Sequence, residues 1–186
     1  MKDQIIQKQH LKILLTLLTW NQLQRVMEFY SSLASCQNLQ TVTFDLRYIE
    51  NNNDEKIQAF NIQNLQYQNM IVLSINMSSC SLTQFQAFDL GLVQNLTSLN
   101  INLSNNKLSK FEELAAGLEK CLHLQNLDLN LRQQSLQYNQ QSAIRLDQWL
   151  TNCMYLSTLK IYPTYRHSDI NINKLKRKLK RFVANK

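Results

Sequence analysis

The sequence predicts an α/β solenoid: a curved parallel β-sheet on the concave side, helices on the convex side, about six repeats, and a basic C-terminal capping helix. Three observations predict it. Short runs of alternating apolar residues recur, and the equivalent positions Val42, Leu73, Leu99, Leu127 and Leu159 lie 31, 26, 28 and 32 residues apart. Such spacings suit a strand, a turn, a helix and a return loop. At the clearest of these strands a helical stripe follows. Finally, nearly all the net charge is confined to the last segment of the chain.

The first unit, residues 5–33, is the least regular. A shift of 85 residues carries Leu14, Leu18, Asn21 and Leu23 onto Leu99, Leu103, Asn106 and Leu108. The same shift carries Val26, Phe29, Tyr30 and Leu33 onto Phe111, Leu114, Ala115 and Leu118. This register makes residues 5–33 a repeat, with a helical N-terminal cap as the alternative. It also sets Leu15 and Leu17 on the concave face, where with Trp20 they would form an exposed apolar patch.

The second unit opens with Cys36-x-x-Leu39-x-x-Val42-x-Phe44-x-Leu46, and the third with Met70-x-x-Leu73-x-Ile75-x-Met77-x-x-Cys80-x-Leu82. In the second, Ile49 takes the turn position, and the Asn-rich stretch after it predicts an irregular loop. The fourth unit is the clearest: Leu96-x-x-Leu99-x-Ile101-x-Leu103-x-x-Asn106-x-Leu108. Alternation makes a strand with one buried face, and an Asn at the turn can bond neighbouring backbone through its amide. Phe111, Leu114, Ala115 and Leu118 then follow with the i, i+3, i+4, i+7 spacing of an amphipathic helix. The fifth unit begins at Cys121 with Leu124, Leu127, Leu129 and Leu131, and the sixth at Cys153 with Leu156, Leu159 and Ile161 before Pro163. Leu175, Leu179, Phe182 and Val183 form the apolar stripe of the final helix.

The LxLxxNxL-type core that runs from Ile101 to Leu108, with the Cys-x-x-Leu-x-x-Leu-x-Leu-x-Leu openings, resembles leucine-rich-repeat proteins of the ribonuclease-inhibitor-like subclass. The Asn- and Gln-rich flavour is similar to members from ciliated protists. The resemblance covers nearly the whole chain. It implies protein–protein binding or scaffolding, and it brings no catalytic residue with it. Thr16, in place of a core aliphatic, and Ile49, in place of the turn Asn, depart from the pattern.

Two parts are expected: a solenoid over 1–167 and a basic capping helix or tail over 168–186. With 186 residues, 44% of them hydrophobic, the chain can bury a sizeable core. Only 2 Gly and 1 Pro occur, fewer than phosphate-binding loops and tight-turned enzyme folds require. The formal charge is +7, yet 168–186 holds seven of the 20 basic residues and one of the 13 acidic ones. The rest, 13 against 12, is almost neutral, so any electrostatic function belongs to the tail. The apolar run 11–20 is too short to span a bilayer, and its flanks fit a signal peptide poorly. A soluble, intracellular, cytoplasmic protein is expected.

No Gly-rich elbow, HExxH or phosphate loop is present, so no enzyme activity and no cofactor are expected. Cys36, Cys121 and Cys153 share one repeat position and Cys80 takes the turn position, which makes all four structural thiols rather than a metal or redox site. His10, His123 and His167 lack metal-ligand spacing, so no metal is expected. The candidate binding face is the concave one, where side chains alternating with the core point outward: Thr43 and Asp45, Ser74 and Asn76, Asn100 and Asn102, Asp128 and Asn130, Lys160 and Tyr162. This neutral-to-acidic ladder suits a polar or mildly basic protein surface, and it lacks the Arg/Lys stripe of a nucleic-acid interface. The tail presents Lys174, Lys176, Arg177, Lys178, Lys180 and Arg181. Its alternative role is contact with RNA or an acidic protein surface, and membranes rank below both because bulky interfacial aromatics are lacking. The expected function is a non-catalytic interaction or scaffold module, a subunit of a larger assembly. Regulatory inhibition of an enzyme is a second alternative that rests on fold analogy alone.

Overall fold

A computed structural model describes residues 10–14, 39–48, 69–83, 85, 90, 93–108, 112–132, 148–150, 153 and 155–162. Six five-residue strands form one parallel sheet in chain order: β1 (His10–Leu14), β2 (Thr41–Asp45), β3 (Val72–Asn76), β4 (Ser98–Asn102), β5 (Asn126–Asn130) and β6 (Thr158–Tyr162). Each strand pairs with the next in sequence. Parallel neighbours require a crossover of a dozen residues or more, which the 26- to 32-residue spacings supply. The result is an α/β repeat fold.

The register runs straight across the last five strands. Val42 pairs with Leu73, Leu73 with Leu99, Leu99 with Leu127, and Leu127 with Leu159. These are the positions that the sequence repeat aligns. The first strand departs from the 85-residue match. Leu11, not Leu14, is in register with Val42, and Leu14 falls opposite Asp45. The strand also replaces the helical-cap alternative over 10–14. The cause is the composition of residues 11–18, which are apolar at six of eight positions. Such a run has no period-2 signal to pin one register against another. Leu15, Leu17 and Trp20 lie outside the described residues.

Burial follows the alternation. Val42 and Phe44, Leu73 and Ile75, Leu99 and Ile101, and Leu127 and Leu129 are buried, while their strand neighbours are accessible. The next apolar residue of each unit, Leu46, Met77, Leu103 and Leu131, is buried too, as are Leu39, Met70, Leu96, Leu124 and Leu156 ahead of the strands. Each such side chain contributes about 1.5–3 kcal/mol on burial. Against this core packs α1 (Glu112–Glu119), rich in good helix formers. Its Leu114, Ala115 and Leu118 are buried on the predicted stripe, while Phe111 lies outside the described residues. The helix closes with a tightened turn, Lys120 N–H donating to Gly117 C=O at 3.2 Å and Cys121 N–H to Leu118 C=O at 3.0 Å.

Backbone bonding repeats from unit to unit and extends beyond the strands. The carbonyls of Gln40, Ile71, Thr97 and Gln125 each accept two N–H groups from the following repeat, at 2.8–3.0 Å. At the other end, Leu46, Met77, Leu103 and Leu131 donate to Asn76, Asn102, Asn130 and Tyr162 at 2.7–2.9 Å. Tyr48, Ser79 and Asn105, at one equivalent position in three successive repeats, have φ of 59°, 59° and 58°, and Ser81 adds a second such residue, with φ of 55°, after β3. The shared left-handed residue turns the chain after β2, β3 and β4, a conformation that costs a non-glycine residue about 1–2 kcal/mol.

The following residue supports that turn. Asn106 is buried and makes five hydrogen bonds. Its Nδ2 donates to the carbonyls of Met77 (2.9 Å), Leu103 (2.8 Å) and Ser104 (3.4 Å), and its Oδ1 accepts from the N–H groups of Cys80 (3.0 Å) and Leu82 (3.1 Å). One side chain thus satisfies the turn of its own repeat and of the preceding one. Cys80 holds the equivalent position one repeat earlier. Its thiol donates to Leu46 C=O at 3.0 Å, which matches the bond from Asn106 to Met77.

Candidate binding face

The register sorts the predicted face residues into two rows across the sheet. One runs Thr43, Ser74, Asn100, Asp128, Lys160, and the other Asp45, Asn76, Asn102, Asn130, Tyr162. All ten are half-buried or exposed, on the side of the sheet away from the core. A third row, Thr41, Val72, Ser98, Asn126 and Thr158, lies parallel to them and adds mostly hydroxyls and an amide.

The second row has a structural task that the sequence did not reveal. Oδ1 of Asn76 accepts from Ser78 N–H at 3.2 Å, Oδ1 of Asn102 from Ser104 N–H at 3.1 Å, and Oδ1 of Asn130 from Arg132 N–H at 3.2 Å. These are three copies of one Asx turn, leading the chain out of the strand. The Nδ2 group of each of these half-buried amides makes no hydrogen bond among the described residues. The first row is different. Asn100, at its centre, is exposed and makes no such turn.

Charges on the face are paired by position. Arg47 donates to both carboxylate oxygens of Asp45, at 2.7 and 2.9 Å, and this carboxylate raises the Arg47 pKa further above its ordinary value. Lys160 Nζ lies 3.7 Å from Asp128 Oδ2 across neighbouring strands. The two carboxylates that made the ladder look acidic therefore each have a cation beside them, and the expected match to a mildly basic partner loses its electrostatic ground. Arg132 was missed by the sequence reading. Its guanidinium carbon sits 4.5 Å from the centroid of the Tyr162 ring, a cation–π contact. The available signal was positional, because Arg47 and Arg132 both stand two residues beyond the end of a strand.

The cysteines take places in the stack. Cys80 and Cys121 are buried and Cys153 is half-buried, and Cys36 lies outside the described residues. Cys121 bonds back to Gly117 C=O at 3.7 Å. Burial, with a smaller effect from nearby Cys153, pushes its pKa up to about 12, so it is a protonated, poor nucleophile at neutral pH. Cys121 and Cys153 border a cavity of about 780 Å³ at the strand-entry edge, with Leu122, His123, Trp149 and Tyr155 also on its wall. His123 and Tyr155 occupy equivalent positions in consecutive repeats, with ring centroids 6.0 Å apart. Among the described residues no three His, Cys, Asp or Glu side chains converge as metal ligands, and no helix is long and apolar enough to cross a membrane. The basic residues Lys174, Lys176, Arg177, Lys178, Lys180 and Arg181 lie outside the described residues.

No protein-family model and no curated protein matches this sequence. Among solved structures, the fold is similar to the tropomodulin C-terminal domain from Caenorhabditis elegans, with a TM-score of 0.55 over 86% of this chain and 94% of that one. Sequence identity over the match is 14%, a likeness of fold alone.

Proposed function

We propose that this chain is a leucine-rich-repeat module of the ribonuclease-inhibitor-like type, that it is non-catalytic, and that it holds a partner protein against the accessible face of its sheet within a larger assembly. One observation carries the reading. Five consecutive strands present polar side chains in continuous rows on one side, while the other side is committed to the core. A rigid sheet of fixed register is a surface on which several side chains can be held against a partner at once. The solved domain of similar fold is consistent with this but contributes nothing about the partner's identity.

The test is co-purification from native extract of the parent chain and a Ser74→Arg/Asn100→Arg variant. Both substitutions lie on the accessible row and touch neither the core nor the Asx turns. A partner that copurifies with the parent and is lost from the variant, with circular dichroism unchanged, supports the reading. Retention by the variant, or a chain that migrates only as a monomer, overturns it. The second reading, RNA or acidic-surface contact through 168–186, rests on the seven cations of that segment. It requires steep salt dependence that disappears on deletion of 174–186.

A further inference from the structure

We infer that the β5–β6 end of the accessible face is a carboxylate-binding corner, and that its occupant is an acidic polypeptide segment of the partner protein. The inference rests on the sheet-face reading and adds the chemistry of what is bound. It starts from two equivalent arginines. Arg47 and Arg132 each follow a strand by two residues, and each sits two residues after the last side chain of the Asp45, Asn76, Asn102, Asn130 row. At Arg47 that side chain is Asp45, and the pair is closed by two hydrogen bonds at 2.7 and 2.9 Å. At Arg132 it is Asn130, whose oxygen is already taken by the Arg132 backbone N–H. The same repeat position thus holds a neutralised cation at one end of the sheet and one with no carboxylate beside it, among the described residues, at the other.

The surroundings of Arg132 suit a carboxylate. The Tyr162 ring packs 4.5 Å from the guanidinium carbon, which fixes the planar group while leaving its N–H edge for a two-pronged bond. Lys160, two residues before Tyr162 on the same strand and face, has a side chain that is 60% exposed and a 3.7 Å separation from Asp128. That separation is well beyond the roughly 2.7–2.9 Å of a charge-assisted hydrogen bond, so the ammonium can serve a second anion. Beside the corner stand the side-chain amides of Asn130, Asn102 and Asn76, in register on neighbouring strands, whose oxygens are engaged in the turns and whose Nδ2 groups remain to donate. Strand spacing sets them about 4.8 Å apart, so the row covers about 10 Å, or roughly three residues of extended chain. Neutral donors in a line suit the backbone carbonyls of a polypeptide. A phosphate polymer would call for a continued line of cations, and the described face does not supply one.

The test uses the full chain and an array of nine-residue peptides of Gly/Ser background in which one Asp or Glu is moved through every position, with neutral and Lys-bearing controls. Acidic peptides should bind in preference to both controls. Arg132→Gln should weaken that binding about tenfold or more, the loss expected for a charge-assisted pair of about 1.5–3 kcal/mol, and Arg47→Gln should leave it unchanged. Asn130→Asp is the decisive second variant. It keeps the oxygen that the turn needs, but supplies the carboxylate that Arg47 already has, so it should quench acidic-peptide binding with the cation still in place. Equal binding of acidic and Lys peptides, or equal effects of the two arginine substitutions, overturns the proposal. So does a twelve-nucleotide RNA that competes better than any acidic peptide and is weakened by Arg132→Gln. If Ser74→Arg/Asn100→Arg releases the partner while Arg132→Gln and Asn130→Asp do not, the corner fails and the sheet-face reading stands.

Discussion

At the scale of single residues, the fold depends on how each turn's backbone groups find partners out of water. Asn106 and Cys80 solve the same problem with different capacity. Asn106 has both donors and an acceptor, and ties its own repeat to the one before through five bonds. Cys80 has a weak donor, which it spends on Leu46 C=O and, at 3.5 Å, on Ser78 C=O. Removing a partner from a buried polar group costs about 1–3 kcal/mol for each group left unsatisfied. Asn106→Ala strands two N–H groups and two well-bonded carbonyls, so its cost should be at least about 3 kcal/mol. Cys80→Ala strands mainly one carbonyl and should cost about half as much or less. Urea denaturation of both variants checks the order, and equal losses would mean that the amide's acceptor contributes nothing.

Among the elements, the strands were legible and their exits were not. Alternation of apolar and polar residues set the register of β2 to β6, because burial on one face alone dictates a period of two. The pattern failed at β1, where Leu11, Ile13, Leu14 and Leu15 put apolar residues at both odd and even positions and three-residue slippage leaves the hydrophobic count nearly unchanged. The Asn side chains at the strand ends look from sequence like ligands for a partner. Their oxygens instead hold the turns, a role set by left-handed residues such as Asn105, whose φ of 58° no hydropathy pattern reports. Alternation did not reach Arg132 either, because it stands two residues beyond β5 and meets Tyr162 only through the turn that follows the strand. A substitution separates the two roles of the amide. Asn102→Asp keeps an oxygen for Ser104 N–H and should change stability by less than about 0.5 kcal/mol. Asn102→Ala removes it and should cost about 0.5–1.5 kcal/mol. Thermal denaturation distinguishes them, and equal midpoints would show that the turn does not use the side chain.

For the whole molecule, stability is distributed along one dimension. A single repeat buries too little to offset the roughly 1–2 kcal/mol per residue of backbone entropy, so each unit depends on its neighbours. The sheet shows the gradient this implies. Leu99, Leu127 and Leu159 stand in one register column, yet the first two are about 1% exposed and Leu159 is only half-buried, with Ile161 at 9% beside it. Identical chemistry at identical repeat positions should therefore have position-dependent cost. Leu99→Ala opens a cavity between two packed neighbours and should cost about 2–5 kcal/mol. Leu159→Ala removes a side chain that is already partly hydrated, and should cost less than half of that. The pattern of opening differs too: Leu99→Ala should lower the protection of β3, β4 and β5 amides together, whereas Leu159→Ala should expose β6 first and leave β3 and β4 near their parent values. Hydrogen exchange of the two variants resolves this strand by strand. Uniform loss across all six strands in both variants would mean that the stack unfolds as one unit, and that the accessible face behaves as a rigid platform from end to end.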